Sequence, residues 1–182
     1  MKKVTLIVYA AITLLLITSC NEKPASRTSI LLSEDSGIFR NISFDLDIDA
    51  VKKNETAPLA NATEDYLRYE LKNINKTSEY AEFEYHFSKN RLDLITVYYA
   101  TTTKKEAEQL FNEVKKIYDK KFGASKSDDS GWQMWEFEDK EGSPGNIEIM
   151  MKHESNNDLH GLDIELVKYY KDERRTASTL PQ

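Results

Sequence analysis

With one cysteine, four prolines and six glycines in 182 residues, the chain has little covalent or conformational bracing. A lone Cys20 cannot close an intrachain disulfide or build a zinc–thiolate centre, so the fold rests on burial. Basic residues are also scarce, 25 Lys and Arg against 31 Asp and Glu, for a net charge of −6. That balance argues against nucleic acid, whose phosphates need a basic surface. The chain has no P-loop, no dinucleotide fingerprint, no metalloprotease helix and no internal repeat. Its longest apolar run, residues 4–17, is too short for a comfortable membrane span.

That run sits between Lys2-Lys3 and the small residues that precede Cys20, which is the order of a secretory signal. Ile17-Thr18-Ser19-Cys20 resembles the lipobox of bacterial lipoproteins. The resemblance implies a signal peptide over 1–19, cleavage before Cys20, a diacylglyceryl group on its sulfur and acylation of the new amino group. It covers only about the first twenty residues, and an ordinary secreted protein with a chance cysteine is the alternative. A thioether at Cys20 would leave no thiol for catalysis. Cleavage would leave 163 residues carrying 23 basic and 31 acidic groups, net −8. Residues 20–29 then read as the lipidated cysteine and a polar tether, and two acyl chains, at about 0.8 kcal/mol per buried methylene, make a firm anchor. Asn21 stands where lipoproteins held at an inner membrane often carry Asp, so by resemblance the address is the cell envelope, at the outer membrane if the cell has one.

Residues 30–170 read as one domain, and 171–182 as a frayed polar tail. Its organising stretch is 103–123, where Ala107, Leu110, Phe111, Val114, Ile117 and Tyr118 recur at helical spacing. Thr103 and Glu106 form a capping box, and Gly123 supplies the left-handed stop. Strands are expected over 42–49, 64–74, 80–88, 91–100, 132–139, 146–152 and 161–170, the second of these being equally compatible with a helix by pattern. Lys89-Asn90 is a tight turn, and the parity change between Leu94 and Ile95 calls for a bulge or for cover on both faces. Residues 51–62 read as a loop, and the clusters Ile30 to Leu32 and Ile38-Phe39 as cover lying across the sheet. The class is α+β: a single antiparallel sheet of about six or seven strands with one long amphipathic helix, about 104–121, on one face.

Several residue sets invite chemistry and fit it poorly. Asp45, Asp47 and Asp49 have the opening spacing of a calcium loop, but Ala50 and Thr56 stand where Gly and Glu are required. A last hairpin turning at Asn156-Asn157 would put His153 opposite His160, with no evident third metal ligand. His86 lies apart in sequence. Ser36 and Ser130 sit in Asp-Ser-Gly turns that lack the flanking pattern of a hydrolase elbow. No cofactor is implied.

The outward parity is more informative. Glu82, Glu84, Glu148, Asp163 and Glu165 alternate with core residues and would line an acidic sheet face, opposite the lysines of the helix. Trp132 and Trp135, three apart on one strand, must point to opposite faces. An exposed Trp132 would be a platform for a ligand or a hot spot for a protein. The expectation is a lipid-anchored, non-enzymatic binding module. Cys20 is the lipid attachment, and Trp132, Glu82, Glu84, Glu148 and Glu165 are candidate contacts to a ligand or partner. An inhibitor or immunity protein that neutralises a basic toxin or wall-degrading enzyme is the alternative, and an unrecognised hydrolase a further one. A concave aromatic cleft on the sheet would favour a ligand; a flat acidic plate would favour a protein.

Overall fold

The computed structural model describes residues 26–32, 38–44, 46–138, 145–156 and 159–170. Along them run α1 (Arg27–Leu31), α2 (Ile48–Asn54), β1 (Leu59–Ala62), β2 (Tyr66–Ile74), β3 (Glu79–Ser88), β4 (Arg91–Thr101), α3 (Lys104–Phe122), β5 (Lys126–Ser127), β6 (Gln133–Glu138), β7 (Gly145–Asn156) and β8 (Leu159–Tyr170). The strands form one antiparallel sheet in the order β1-β2-β3-β4-β8-β7-β6-β5. The class is α+β, with eight strands where six or seven were expected. The additional ones, β1 and β5, are short edge strands of mixed composition with no alternation to announce them. Cys20, Ser36, Asp45 and the tail 171–182 lie outside the described residues.

Two inner rows of the sheet show why period-two sequences suffice for most of this. Leu67, Tyr85, Ile95, Leu166, Ile149 and Trp135 lie side by side across six strands, and all are buried. The parallel row Tyr69, Phe83, Val97, Ile164 and Met151 is buried as well. Each large apolar side chain so covered contributes roughly 1.5–3 kcal/mol. The β3–β4 hairpin turns at Lys89 and Asn90, both at positive φ. Its register shifts between His86 and Phe87, which puts both Leu92 and Ile95 in the core and Leu94 on the other face. A bulge resolves the parity conflict.

Helix α3 buries Ala107, Leu110, Val114 and Tyr118 against β8, β7, β4 and β6. Ile117, at the edge of that stripe, stays 40 % exposed. Thr103 caps the helix by accepting the Glu106 N–H, and Gly123 at φ +92 ends it. The Glu106 carboxylate takes the hydroxyls of Thr102 and Thr103 together with Arg27, instead of returning to the cap backbone. These bonds, the Thr102 hydroxyl foremost, lower its pKa to about 2.

The N-terminal segment covers the half of the sheet that α3 does not reach. Ile30, Leu31, Phe39, Ile42, Phe44 and Val51 are buried in the same core, with the Phe39 ring 5.7 Å from Phe83. Two expectations are corrected here. Residues 42–49 are not a strand: Arg40 and Asn41 take positive φ, turning the chain so that Phe39 bridges Ile42, and Asp47 caps α2 by accepting the Ala50 N–H. A side-chain cap and a turn overrode the alternation. Residues 51–62 are not a plain loop either, since α2 runs to Asn54 and β1 follows. Residues 27–29, read from sequence as part of the tether, lie in α1.

Two buried carboxylates clamp this cover down. Glu79, 1 % exposed, receives the Arg27 guanidinium bidentately and the Tyr99 hydroxyl at 2.8 Å. Glu55 receives Arg40 through Nε and Nη2, the Tyr85 hydroxyl at 2.6 Å, and the N–H groups of Thr56 and Ala57. Each cluster joins an arginine of the N-terminal segment to a tyrosine of the sheet through a carboxylate that cannot reach water.

Candidate functional site

The outer face of the sheet, opposite α3, carries the remaining parity of every strand. One cross-strand row reads Glu70, Glu82, Tyr98, Asp163 and Lys152, from β2 through β3, β4 and β8 to β7. The next row reads Arg68, Glu84, Thr96, Glu165, Met150 and Met134. Antiparallel register alone brings into one row carboxylates as far apart in sequence as Glu70 and Asp163, 93 positions.

These rows enclose a groove of about 360 Å³ lined by Glu82, Glu84, Thr96, Tyr98, Trp132, Lys152, Asp163 and Glu165, with Val97 and Ile164 beneath. The central strands β4 and β8 form its floor; β3 supplies one wall, and β7 with Trp132, just ahead of β6, the other. At about 4.8 Å per strand, the pair on the β3 wall, Glu82 with Glu84, stands about 10 Å from the pair on the β8 floor, Asp163 with Glu165.

The β3 carboxylates are held from behind. Glu84 accepts the hydroxyls of Tyr66 and of Thr96, the latter at 3.0 Å, and His86 Nε2 lies 3.6 Å away. Burial alone would raise its pKa, but the Tyr66, Thr96 and His86 contacts outweigh it and hold it below the ordinary value. Glu82 accepts the Tyr80 hydroxyl. Tyrosines thus fix both carboxylates, leaving further lone pairs toward the groove.

Asp163 differs. Among the described residues no hydrogen bond to it is found, and desolvation first, then the Glu154 and Glu165 charges, push its pKa up to about 6 despite nearby Lys152. Lys152 pairs with Glu154, which raises its own pKa, and sits 4.8 Å above the centroid of the Trp132 ring. Trp135, the other tryptophan, is buried between sheet and helix, its Nε1–H donated to Asp119 at 3.0 Å. Gly161, opposite Ala100, is overlain by the Tyr98 ring, which would lie 2.9 Å from an added Cβ.

Of the residues expected to make contacts, Trp132, Glu82, Glu84 and Glu165 come together in this groove. Glu148 is on the same face but lines a separate depression of about 240 Å³ beside Met134 and Glu136. Sequence reasoning missed Tyr98, Thr96 and Lys152 as groove residues. Their parity was legible, but the pairing of β4 with β8, 59 to 73 positions away, was not.

The other sets are dispersed. His153 faces Leu162, and it is Ser155 that stands opposite His160, with Oγ 2.8 Å from Nδ1, because β7 runs through Asn156. The two histidines therefore do not face each other across the hairpin. His86 sits on the outer face against the Tyr66 ring. Asp47 is a helix cap and Asp49 an exposed partner of Lys52 at 3.8 Å. The Ser130 hydroxyl donates to Asp128 within its turn. Compared with protein-family models, curated proteins and solved structures, the chain matches none, so the reading of the groove rests on its own geometry.

Proposed function

We propose that the chain is a lipid-anchored cell-envelope protein whose globular part binds a ligand or envelope component in the outer-face groove and performs no chemistry on it. The lipobox-like residues 17–20 support the anchor. The observation that carries the binding role is the groove itself: a half-buried Trp132 stands across a concave floor from Glu82 and Glu84, whose orientations are set by tyrosine hydroxyls. Polar groups of fixed orientation beside an aromatic platform are the elements that orient a ligand in a small-molecule site.

A second reading, inhibition of a basic protein, draws support from the same carboxylates, since four of them meet only Lys152 in the groove. The two separate by experiment. Mass spectrometry of the mature protein reads the mass added at Cys20, and an unmodified thiol or an intact leader removes the anchor. Immobilised soluble chain, challenged with fractionated envelope material, retains a small-molecule fraction that Trp132→Ala loses. Retention of a basic protein alone, released by moderate salt and indifferent to Trp132→Ala, favours the inhibitor.

A further inference from the structure

Resting on the anchor proposed above, we infer that the domain stands end-on to its membrane, with the β2–β3 and β4–α3 turns toward the bilayer. Lys76, Lys104 and Lys105 there meet the phosphates of an anionic phospholipid surface. Three observations converge on that end of the fold.

First, the chain enters the fold there. Arg27, the first residue of α1, closes on Glu79 at the start of β3 and on Glu106 in the first turn of α3. Strands β2 and β4 finish at this end and β3 begins there, because neighbouring strands are antiparallel.

Second, the reach of the chain excludes the opposite end. Six residues of chain lead from Cys20 to Ser26, and fully extended they span at most about 22 Å. Strand β4, eleven residues long, measures about 35 Å at about 3.3 Å per residue. Turning the β3–β4 hairpin toward the bilayer would lift Ser26 by about the length of that strand, farther than an acyl group on Cys20 permits.

Third, charge selects this end over a face. Residues 75–78 and 101–105 include Lys76, Lys104 and Lys105, all exposed, and no acidic side chain. The nearby carboxylates Glu79 and Glu106 are taken up by Arg27, and Lys104 lies 3.8 Å from Glu108. The opposite end mixes signs, with Glu64, Asp65 and Asp93 among Lys89 and Arg91. Laid on its outer face, the domain would bring Glu82, Glu84, Asp163 and Glu165 toward lipid phosphates, where like charges repel. The chain is acidic as a whole, so the attraction is local, acting within a Debye length of about 10 Å. Each lysine brought against an anionic surface weights the end-on pose by about fivefold, and the anchor already holds lipid within reach.

The test places one fluorophore at either end of the lipidated chain, through Ser78→Cys in the β2–β3 turn or Glu64→Cys in the β1–β2 turn at the opposite end, both exposed positions. Energy transfer is read to a rhodamine-headgroup lipid in vesicles of phosphatidylglycerol and phosphatidylcholine; Cys20, as a thioether, takes no label. Transfer from Ser78→Cys is expected to exceed that from Glu64→Cys by at least about twofold, given the height of the strands between them. Adding Lys76→Gln/Lys104→Gln/Lys105→Gln should lower transfer from Ser78→Cys on these vesicles and leave it unchanged on pure phosphatidylcholine. Far-UV circular dichroism confirms that the variants fold. Equal transfer from the two positions, or more from Glu64→Cys, overturns the inference, as does a triple variant that matches its parent on the anionic vesicles. Failure of the anchor is seen separately, by mass, before any vesicle is made. An unmodified Cys20 removes the anchor and this inference with it, whereas a lipidated Cys20 with equal transfer sinks the orientation alone.

Discussion

Arg27 closes bidentately on Glu79, with Nε 3.0 and 3.1 Å from the two carboxylate oxygens, 52 positions apart in sequence and beneath the sheet's cover. Tyr99 donates to the same carboxylate, and the charge it screens is almost wholly out of water. The pair fastens the start of α1 to the beginning of β3 and, through Glu106, to the first turn of α3.

Removing one member of this pair should cost far more than removing both. Arg27→Ala is expected to destabilise the domain by about 3 kcal/mol, because it strands a buried carboxylate, whereas Arg27→Met/Glu79→Gln should cost appreciably less. Urea unfolding of the three proteins checks this. A loss in the double variant as large as in Arg27→Ala would show that the stranded carboxylate is not what the single substitution costs.

The second cluster gives a pH dependence of definite sign. Burial alone would raise the Glu55 carboxyl, but Arg40, the Tyr85 hydroxyl and the Ala57 N–H outweigh it and hold the group below its ordinary 4.5. A lowered folded-state pKa contributes stability that is complete above about 4.5 and lost as pH falls through the folded value. The gap in melting temperature between wild type and Glu55→Gln should therefore be full at pH 7 and shrink below pH 4.5. A constant gap would contradict the assignment.

Asp163 behaves in the opposite sense. Its folded pKa of about 6 lies above the ordinary 3.8, so ionisation costs the fold stability that is fully lost above about 6 and regained as pH falls toward 4. Glu154 and Glu165 oppose its charge, Lys152 favours it, and Glu82 and the Tyr98 ring share the groove. Asp163→Asn should raise the melting temperature at pH 7.5 and leave it nearly unchanged near pH 4.

Gly161 makes room for the groove floor. An added Cβ would stand 2.9 Å from both Tyr98 Cε2 and the Tyr99 carbonyl oxygen, the latter unable to move without disturbing the β4–β8 ladder. Gly161→Ala is expected to cost about 1–3 kcal/mol. Adding Tyr98→Ala should recover only part of it, since the backbone contact remains. Chemical denaturation of the single and double variants measures both.

Local chemistry made part of this molecule legible from residues alone. The cap at Thr103, the stop at Gly123, the turn at Lys89-Asn90 and the opposite aims of Trp132 and Trp135 are decided within a few residues, by periodicity and backbone preference. The outward carboxylates followed from parity for the same reason. Tertiary structure decided the rest. Pairing of β4 with β8 placed Glu84 and Glu165 in one row and closed a groove between them, while Glu148, further along β7 and paired with Glu136 and Val167, fell outside it. Residues 42–49 alternated like a strand and became a turn and a helix cap, because a buried Arg40–Glu55 contact and the Asp47 cap outweighed a pattern with no neighbouring strand to pair with. Strand register and buried ion pairs are interactions between distant segments, and no window of sequence contains both partners.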